Sequence, residues 1–132
     1  MGVVIDSSCL IEIERRIAGR RLNVDELPSD PLASAISVAE LRVGLELADD
    51  AHRKVREAFV EAVVRECTTL PFGVSEAEAY ARIVAALRKT GERIGERDLM
   101  IAATAVAGGH GVMTRNVGEF ARVPGLTLQA PP

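Results

Sequence analysis

Apolar residues in this chain fall into two alternating arrangements: short β-branched runs, and longer stretches where they recur every three or four positions. Val3–Ile5 is the first short run, too brief for a helix, and reads as a buried strand. After it, Ser7 and Ser8 offer helix N-caps, and Leu10, Ile13 and Ile17, with Ile11 beside them, form a helical stripe ending near Gly19. From Arg20 to Pro31 the chain turns polar and carries Pro28 and Pro31, the composition of a loop with room for one helical turn. Ala35-Ile36 reads as a very short second strand, followed by a helix with Val38, Leu41, Leu45 and Ala48 on one face. Asp49-Asp50 interrupts that pattern, and the next helix aligns Val55, Phe59 and Val63. Thr68–Leu70, closed by Pro71, is the third strand candidate. Ser75 and Glu78 fit a capping box ahead of a stripe of Tyr80, Ile83, Val84 and Leu87. Leu99–Ala107 is apolar nearly all round, which predicts the most buried helix, stopped by Gly108-Gly109. Val112-Met113 and Leu126–Leu128 supply the fourth and fifth strands. Strands alternating with helices predict an α/β fold, a parallel sheet with helices on both faces. No repeat or low-complexity segment divides the chain, so residues 1–132 are expected to form one domain.

Composition adds constraints. Only four of the 132 residues are aromatic, so Leu, Ile, Val and Ala must fill the core. A hydrophobic fraction of 48% and a mean hydropathy of +0.15 describe a folded chain. Cys9 and Cys67 are too few and too far apart for a disulfide framework or a zinc site, and read as buried free thiols of a reducing cytosol. No stretch approaches the roughly 18–20 apolar residues of a membrane span, and the start lacks a basic region followed by a long apolar one. A cytoplasmic protein without membrane association is therefore expected.

The net charge of −3 gives no basic signature, yet positive charge is clumped at Arg15, Arg16, Arg20 and Arg21, at Arg88, Lys89, Arg93 and Arg97, and at Arg115 and Arg122. Alone, these are solvated helix faces. Beside an acidic pocket they are able to hold phosphates while the acids hold a metal, so the acidic balance does not exclude a nucleic-acid substrate.

Such a pocket is what the polar residues at the ends of apolar runs suggest. Asp6 follows Val3-Val4-Ile5, Glu40 sits within Ile36–Leu41, Asp98 opens Asp98–Ala105, and Thr114–Phe120 follows Gly111-Val112-Met113. Taken singly, each has a local explanation. Asp6 is able to cap a helix, Glu40 completes Ser37-x-x-Glu40 as a capping box, Asp98 gains from the helix dipole, and Glu119 is solvated in a turn. Taken together they fit an open parallel sheet, which builds its ligand crevice at the carboxyl ends of its strands. Two carboxylates 4 Å apart repel by about 4 kcal/mol at an effective dielectric of 20, more than one helix cap returns. A divalent cation removes that conflict. Since the donors are hard oxygens without Cys or His, Mg²⁺ or Mn²⁺ is favoured over Zn²⁺, and such a site suits phosphoryl chemistry.

With these residues the chain resembles the PIN-domain nucleases, and within them the VapC-type toxins of type II toxin–antitoxin pairs. The matching pieces are Val4–Ser8, Ser37–Leu41 with Gly44, Arg97–Ala105, and Thr114–Phe120 running into Val123–Leu126, in order across essentially the whole chain. The resemblance implies a three-layer α/β/α sandwich on a short, mostly parallel sheet of four or five strands. It also implies Mg²⁺- or Mn²⁺-dependent endoribonuclease activity, a homodimer, and a cognate antitoxin whose tail blocks the site. Carried onto this sequence, Asp6 and Asp98 match the principal metal ligands and Glu40 the third acid. Thr114 matches a hydroxyl that orients a neighbouring carboxylate. The chain departs from the pattern at Asn116, where many members carry a fourth aspartate. Glu119 is placed to supply that charge instead, and the choice between the two stays open here.

The expected reaction is hydrolysis of an RNA phosphodiester by water activated on the ion, with Asp6, Glu40, Asp98 and Glu119 catalytic. Ser7, Arg15, Arg93, Arg97, Thr114, Arg115 and Asn116 are the candidates for substrate contact. No histidine is placed to activate Ser7 or Ser8 as a nucleophile. Two alternatives are weighed beside this. One is a PIN-like fold without activity that serves as a binding partner, suggested by the missing acid and opposed by Asp6, Glu40 and Asp98. The other is a receiver-like signalling domain, which wants an aspartate at a central strand end and a lysine at a later one. Thr68–Pro71 supplies no such aspartate, and Lys54 and Lys89 fall within expected helices.

Overall fold

The structure, a computed structural model, describes residues 1–132. Its strands are β1 (Val3–Ile5), β2 (Pro31–Ser34), β3 (Thr68–Leu70), β4 (Gly111–Met113) and β5 (Leu128–Gln129). They form one five-stranded sheet in the order β3-β2-β1-β4-β5, and every neighbouring pair is parallel. The helices are α1 (Ser7–Ile17), α2 (Ala35–Glu46), α3 (Asp50–Glu66), α4 (Val74–Thr90), α5 (Glu96–Gly108) and α6 (Val117–Phe120), with a 3-10 turn at Val24–Glu26 in the loop before β2.

Strand alternation divides the core in two. Successive residues point to opposite faces of a sheet, and the central strands obey this pairwise. Ile5, Ala33 and Met113 join the side packed by Leu10, Ile13 and Ile17 of α1, Leu41 of α2 and Phe59, Val60 and Val63 of α3. Val4, Leu32 and Val112 join the opposite side, packed by Ala79, Ile83 and Leu87 of α4 and Leu99–Ala105 of α5. The result is the expected α/β/α sandwich. Each fully buried Leu, Ile or Phe contributes roughly 1.5–3 kcal/mol relative to exposure, and the small alanines of α5 let that helix lie close against the sheet. Cys9 and Cys67 are buried free thiols, as expected.

Several local expectations shift by a residue or more, each for a hydrogen-bonding reason. The second strand is not Ala35-Ile36: β2 ends at Ser34, whose side chain accepts the Ile36 N–H and caps α2. Ser37 is consequently inside α2 and fully buried, so Ser37 and Glu40 do not form a capping box. Ser7 and Ser8 are likewise helical, with Asp6 in the N-cap position of α1. The carboxylate that caps α4 is Glu76, which accepts the Gly73 N–H at 2.8 Å, two residues before the Ser75/Glu78 pairing read from sequence. The last strand is Leu128–Gln129 rather than Leu126–Leu128. The Leu126 N–H is drawn back to the Val123 carbonyl in a turn at Gly125, whose φ is +74°.

Candidate active site

β1 lies between β2 and β4, so successive crossovers leave it in opposite directions and the sheet has its topological switch at the carboxyl ends of β1 and β4. Asp6 follows β1 directly and Thr114 follows β4 directly. The Asp6 backbone N–H donates to the Met113 carbonyl at 2.9 Å, holding the two strand ends in register. Asp6 is 3% exposed, and both of its hydrogen bonds from side chains fall on Oδ2: the Ser8 hydroxyl at 2.8 Å and the Thr114 hydroxyl at 2.8 Å. Thr114 in turn accepts the Asn116 backbone N–H at 2.9 Å. A relay of three residues thus fixes the orientation of one carboxylate.

Asp98 is presented by the first turn of α5, whose N-cap is Gly95. Its carboxyl is pushed up to about 6, first by desolvation and then by the facing Glu119 and Asp6 carboxylates. Asn116 partly opposes that shift: its side-chain amide donates to Asp98 Oδ2 at 3.1 Å and to Glu119 Oε2 at 3.2 Å. The neutral residue that departs from the family pattern is therefore a bridge between two acids. Glu119 is carried by the short helix α6 and anchored by its neighbour Phe120, which is fully buried against the α4–α5 side of the sheet.

Glu40 reaches the site from α2 by a different route. The Ser7 hydroxyl lies 2.9 Å from Glu40 Oε1 and 2.9 Å from the buried Ser37 hydroxyl, and Arg97 approaches Glu40 Oε2 at 3.5 Å. Asp6, Asp98 and Glu119 thus share one electrostatic neighbourhood, while Glu40 stands at its edge. No three Asp, Glu, His or Cys side chains converge on a single ion-sized point.

The basic residues divide. Arg97 lies over Glu40, and Arg15 borders a cleft that Glu40 also lines. Arg115 is engaged by both oxygens of Glu12 on α1, which holds the Glu12 carboxyl below its ordinary range. Arg93 borders a separate cavity with Val84, Leu87 and Arg88, lined by none of the four acids. Sequence reasoning missed Glu12, which looks like any charge on the outer face of an amphipathic helix. It also missed Ser37 as a site partner, because Ser37 reads as a cap. Its complete burial, visible only in the fold, is the signal.

The donor chemistry fits a divalent cation. All four acids offer hard oxygens, Asp98 is held near like charges that raise its pKa, and Mg²⁺ needs only one or two carboxylates because it retains several waters. A closed cage of three acids is not required.

Sequence and fold comparisons agree with this architecture. A family model described as PIN domain matches residues 3–126. The chain belongs to the PIN-domain family, and within it to the VapC-type proteins. It is 35% identical to "Ribonuclease VapC1" of Rickettsia felis over 97% of this chain and 95% of that one. Among solved structures it is similar to the DNA-bound VapBC of Salmonella typhimurium, with a TM-score of 0.84 and 26% identity over 100% of this chain and 99% of the other. It is also similar to VapBC-5 of Mycobacterium tuberculosis, described as a member of the VapBC family of toxin–antitoxin systems. There the TM-score is 0.74, with 29% identity over 98% and 96% of the two chains.

Proposed function

We propose that this protein is an endoribonuclease that acts as the toxin of a toxin–antitoxin pair and uses Mg²⁺ or Mn²⁺. Three supports bear on the reading: the relatives named ribonuclease, the structural neighbours described as toxin–antitoxin systems, and the acids gathered where β1 and β4 end. The observation that carries the metal-dependent part is the placing of Asp98 beside Glu119 and Asp6, where desolvation first and those carboxylates next push its pKa up to about 6. A protein keeps such a conflict where a cation is to relieve it.

Asp6 and Asp98 are the principal holders of the ion in this reading, with Glu119 beside them and Glu40 at the margin. When bound, the ion supplies charge neutralisation at the phosphate and a more acidic water. Thr114 and Ser8 keep Asp6 Oδ2 occupied by hydrogen bonds, so Oδ1 is the oxygen left for another partner. Asn116 keeps Asp98 and Glu119 from swinging apart, and Arg97 offers a cation to the substrate phosphate next to Glu40. The antitoxin partner and a homodimer belong to the same reading. Val43 on α2 and Leu47 just past its end, 57% and 81% exposed, provide apolar surface for such contacts. No helix is long and apolar enough to cross a membrane, and a cytoplasmic site of action is part of the proposal.

The test is cleavage of a folded RNA with Mg²⁺ or Mn²⁺ by wild type, Asp6→Asn and Asp98→Asn. Each substitution is expected to cost more than the roughly 10–100-fold typical of losing an outer partner of a metal ligand. Equal activity in all three removes the proposal. In a second readout, Mn²⁺ raises the Tm of wild type and leaves that of the double Asn variant unchanged. Sedimentation of the isolated protein tests the homodimer.

A further inference from the structure

Glu40 borders a cleft of about 260 Å³ that leads away from the acids between α1 and α2, toward α3. Arg15 and Glu14 of α1, Leu41 and Gly44 of α2, and Arg56 of α3 form its walls with Glu40. Four other arginines of the molecule are tied to carboxylates: Arg53 to Glu46, Arg65 to Glu66, Arg97 to Glu40 and Arg115 to Glu12. Arg15 and Arg56 have no such partner, although both face one cleft. Arg56 is nevertheless held in place, because its Nη1 donates to the Gly44 carbonyl at 2.9 Å. That bond uses one of the five guanidinium N–H groups and leaves the others for a ligand.

Gly44 explains how Arg56 lies there. It sits inside α2, where glycine is disfavoured, and no positive φ requires it. A Cβ at this position would come 3.3 Å from Arg56 Nη1, so any side chain here would make the guanidinium give by a few tenths of an ångström. The negative groups facing the cleft are Glu40, already engaged by Ser7 and Arg97, and Glu14 in the α1 wall. Gly44 follows Glu40 by about one helical turn, near 5.4 Å along the axis. The two arginines are therefore about one step along the cleft from the acidic end.

We propose that this cleft is a phosphate subsite, in which Arg15 and Arg56 grip the phosphate of a nucleotide flanking the scissile bond. The inference rests on the ribonuclease reading above and extends it from the cut to the path of the strand. Guanidinium groups match phosphate in a forked, charge-assisted geometry, and phosphate contacts set the register of a nucleic acid without reading its bases.

The experiment measures binding of a fluorescein-labelled, mixed-sequence single-stranded RNA of about 20 nucleotides by anisotropy between about 50 and 300 mM KCl. It uses full-length protein carrying Asp98→Asn to stop turnover. Each neutralised phosphate of a single strand contributes about 0.7 to the slope of log affinity against log salt, so Arg15→Gln/Arg56→Gln, which gives up one phosphate, is expected to lower that slope by about 0.7. Arg15→Lys/Arg56→Lys retains it, and Gly44→Val, which crowds Arg56 alone, lowers it by less than the Gln pair does. Circular dichroism of each variant verifies the fold. An unchanged slope in the Gln pair overturns the subsite, as does an equal drop in Arg82→Gln/Lys89→Gln on α4, or no measurable RNA binding. Cleavage of the RNA by the Asp98→Asn background would instead overturn the catalytic reading, leaving the slopes to judge the cleft separately.

Discussion

The Thr114 hydroxyl donates to Asp6 Oδ2 across 2.8 Å, and the two residues stand at the carboxyl ends of neighbouring central strands. Because Thr114 also accepts the Asn116 N–H, it couples the orientation of one acid to the loop that carries the next two site residues. Thr114→Val removes, at a fully buried position, both the donor to Asp6 and the acceptor of the Asn116 N–H. The expected cost is about 1–3 kcal/mol of stability, with RNA cleavage reduced by roughly 10–100-fold. Thr114→Ser restores most of both. Urea unfolding together with cleavage rates of the three proteins checks this.

Asn116 invites the opposite experiment. Asn116→Asp replaces a donor shared by Asp98 and Glu119 with a third negative charge. Without metal, the Tm is expected to fall by about 2–5 °C. With saturating Mn²⁺ the stabilising shift exceeds that of wild type, since one more carboxylate is relieved. Scanning calorimetry with EDTA and with Mn²⁺ reads both; a Tm unchanged in EDTA contradicts the close contact.

The titration of Asp98 fixes the sign of a pH effect. Its folded-state pKa of about 6 lies above the ordinary value of 3.8. Between those values the folded protein holds more protons than the unfolded chain, so this group's contribution to stability declines as pH rises through that window. In EDTA, Tm is expected to drop from about pH 4 to about pH 6.5 more steeply in wild type than in Asp98→Asn. Mn²⁺ affinity should weaken as pH falls below about 6, because the proton competes for the same carboxylate. Melting curves across this range, with and without metal, decide it.

Much of this arrangement was legible in the chain itself, and the rest was hidden for identifiable reasons. The runs at Val3–Ile5 and Thr68–Leu70 announce themselves by their β-branched composition, and the helical stripes of α1 and α4 by the period that burial on one side imposes. Helix starts were harder. Ser7, Ser8, Ser34, Ser37 and Ser75 are all competent caps on local chemistry, and only the pairing of β2 with its neighbours selects Ser34. Asp6 and Asp98 were placed near a common crevice from their position after apolar runs. What pattern cannot show is partnership: the Asn116 bridge, the Ser7 link to Glu40 and the capture of Arg115 by Glu12 join residues far apart along the chain. A charge cluster in sequence likewise carries no direction, and Arg93 borders a cavity that none of the four acids lines.

Phe120 offers a test that separates packing from chemistry. It is fully buried next to Glu119, so Phe120→Ala is expected to cost about 3–5 kcal/mol and to loosen α6. Phe120→Leu, which keeps most of the volume, should hold the fold while weakening the Mn²⁺-induced rise in Tm. A Leu variant with an undiminished metal response would show that α6 is held by something other than this side chain.

The strand order also governs when the molecule becomes complete. Asp6 precedes its Thr114 partner by 108 residues, so β4 must slot in beside β1 before the two meet. While the residues between them are being made, the growing polypeptide carries scattered acids and no finished centre. The topology thus defers the assembly of the site until the segment carrying β4 has joined β1.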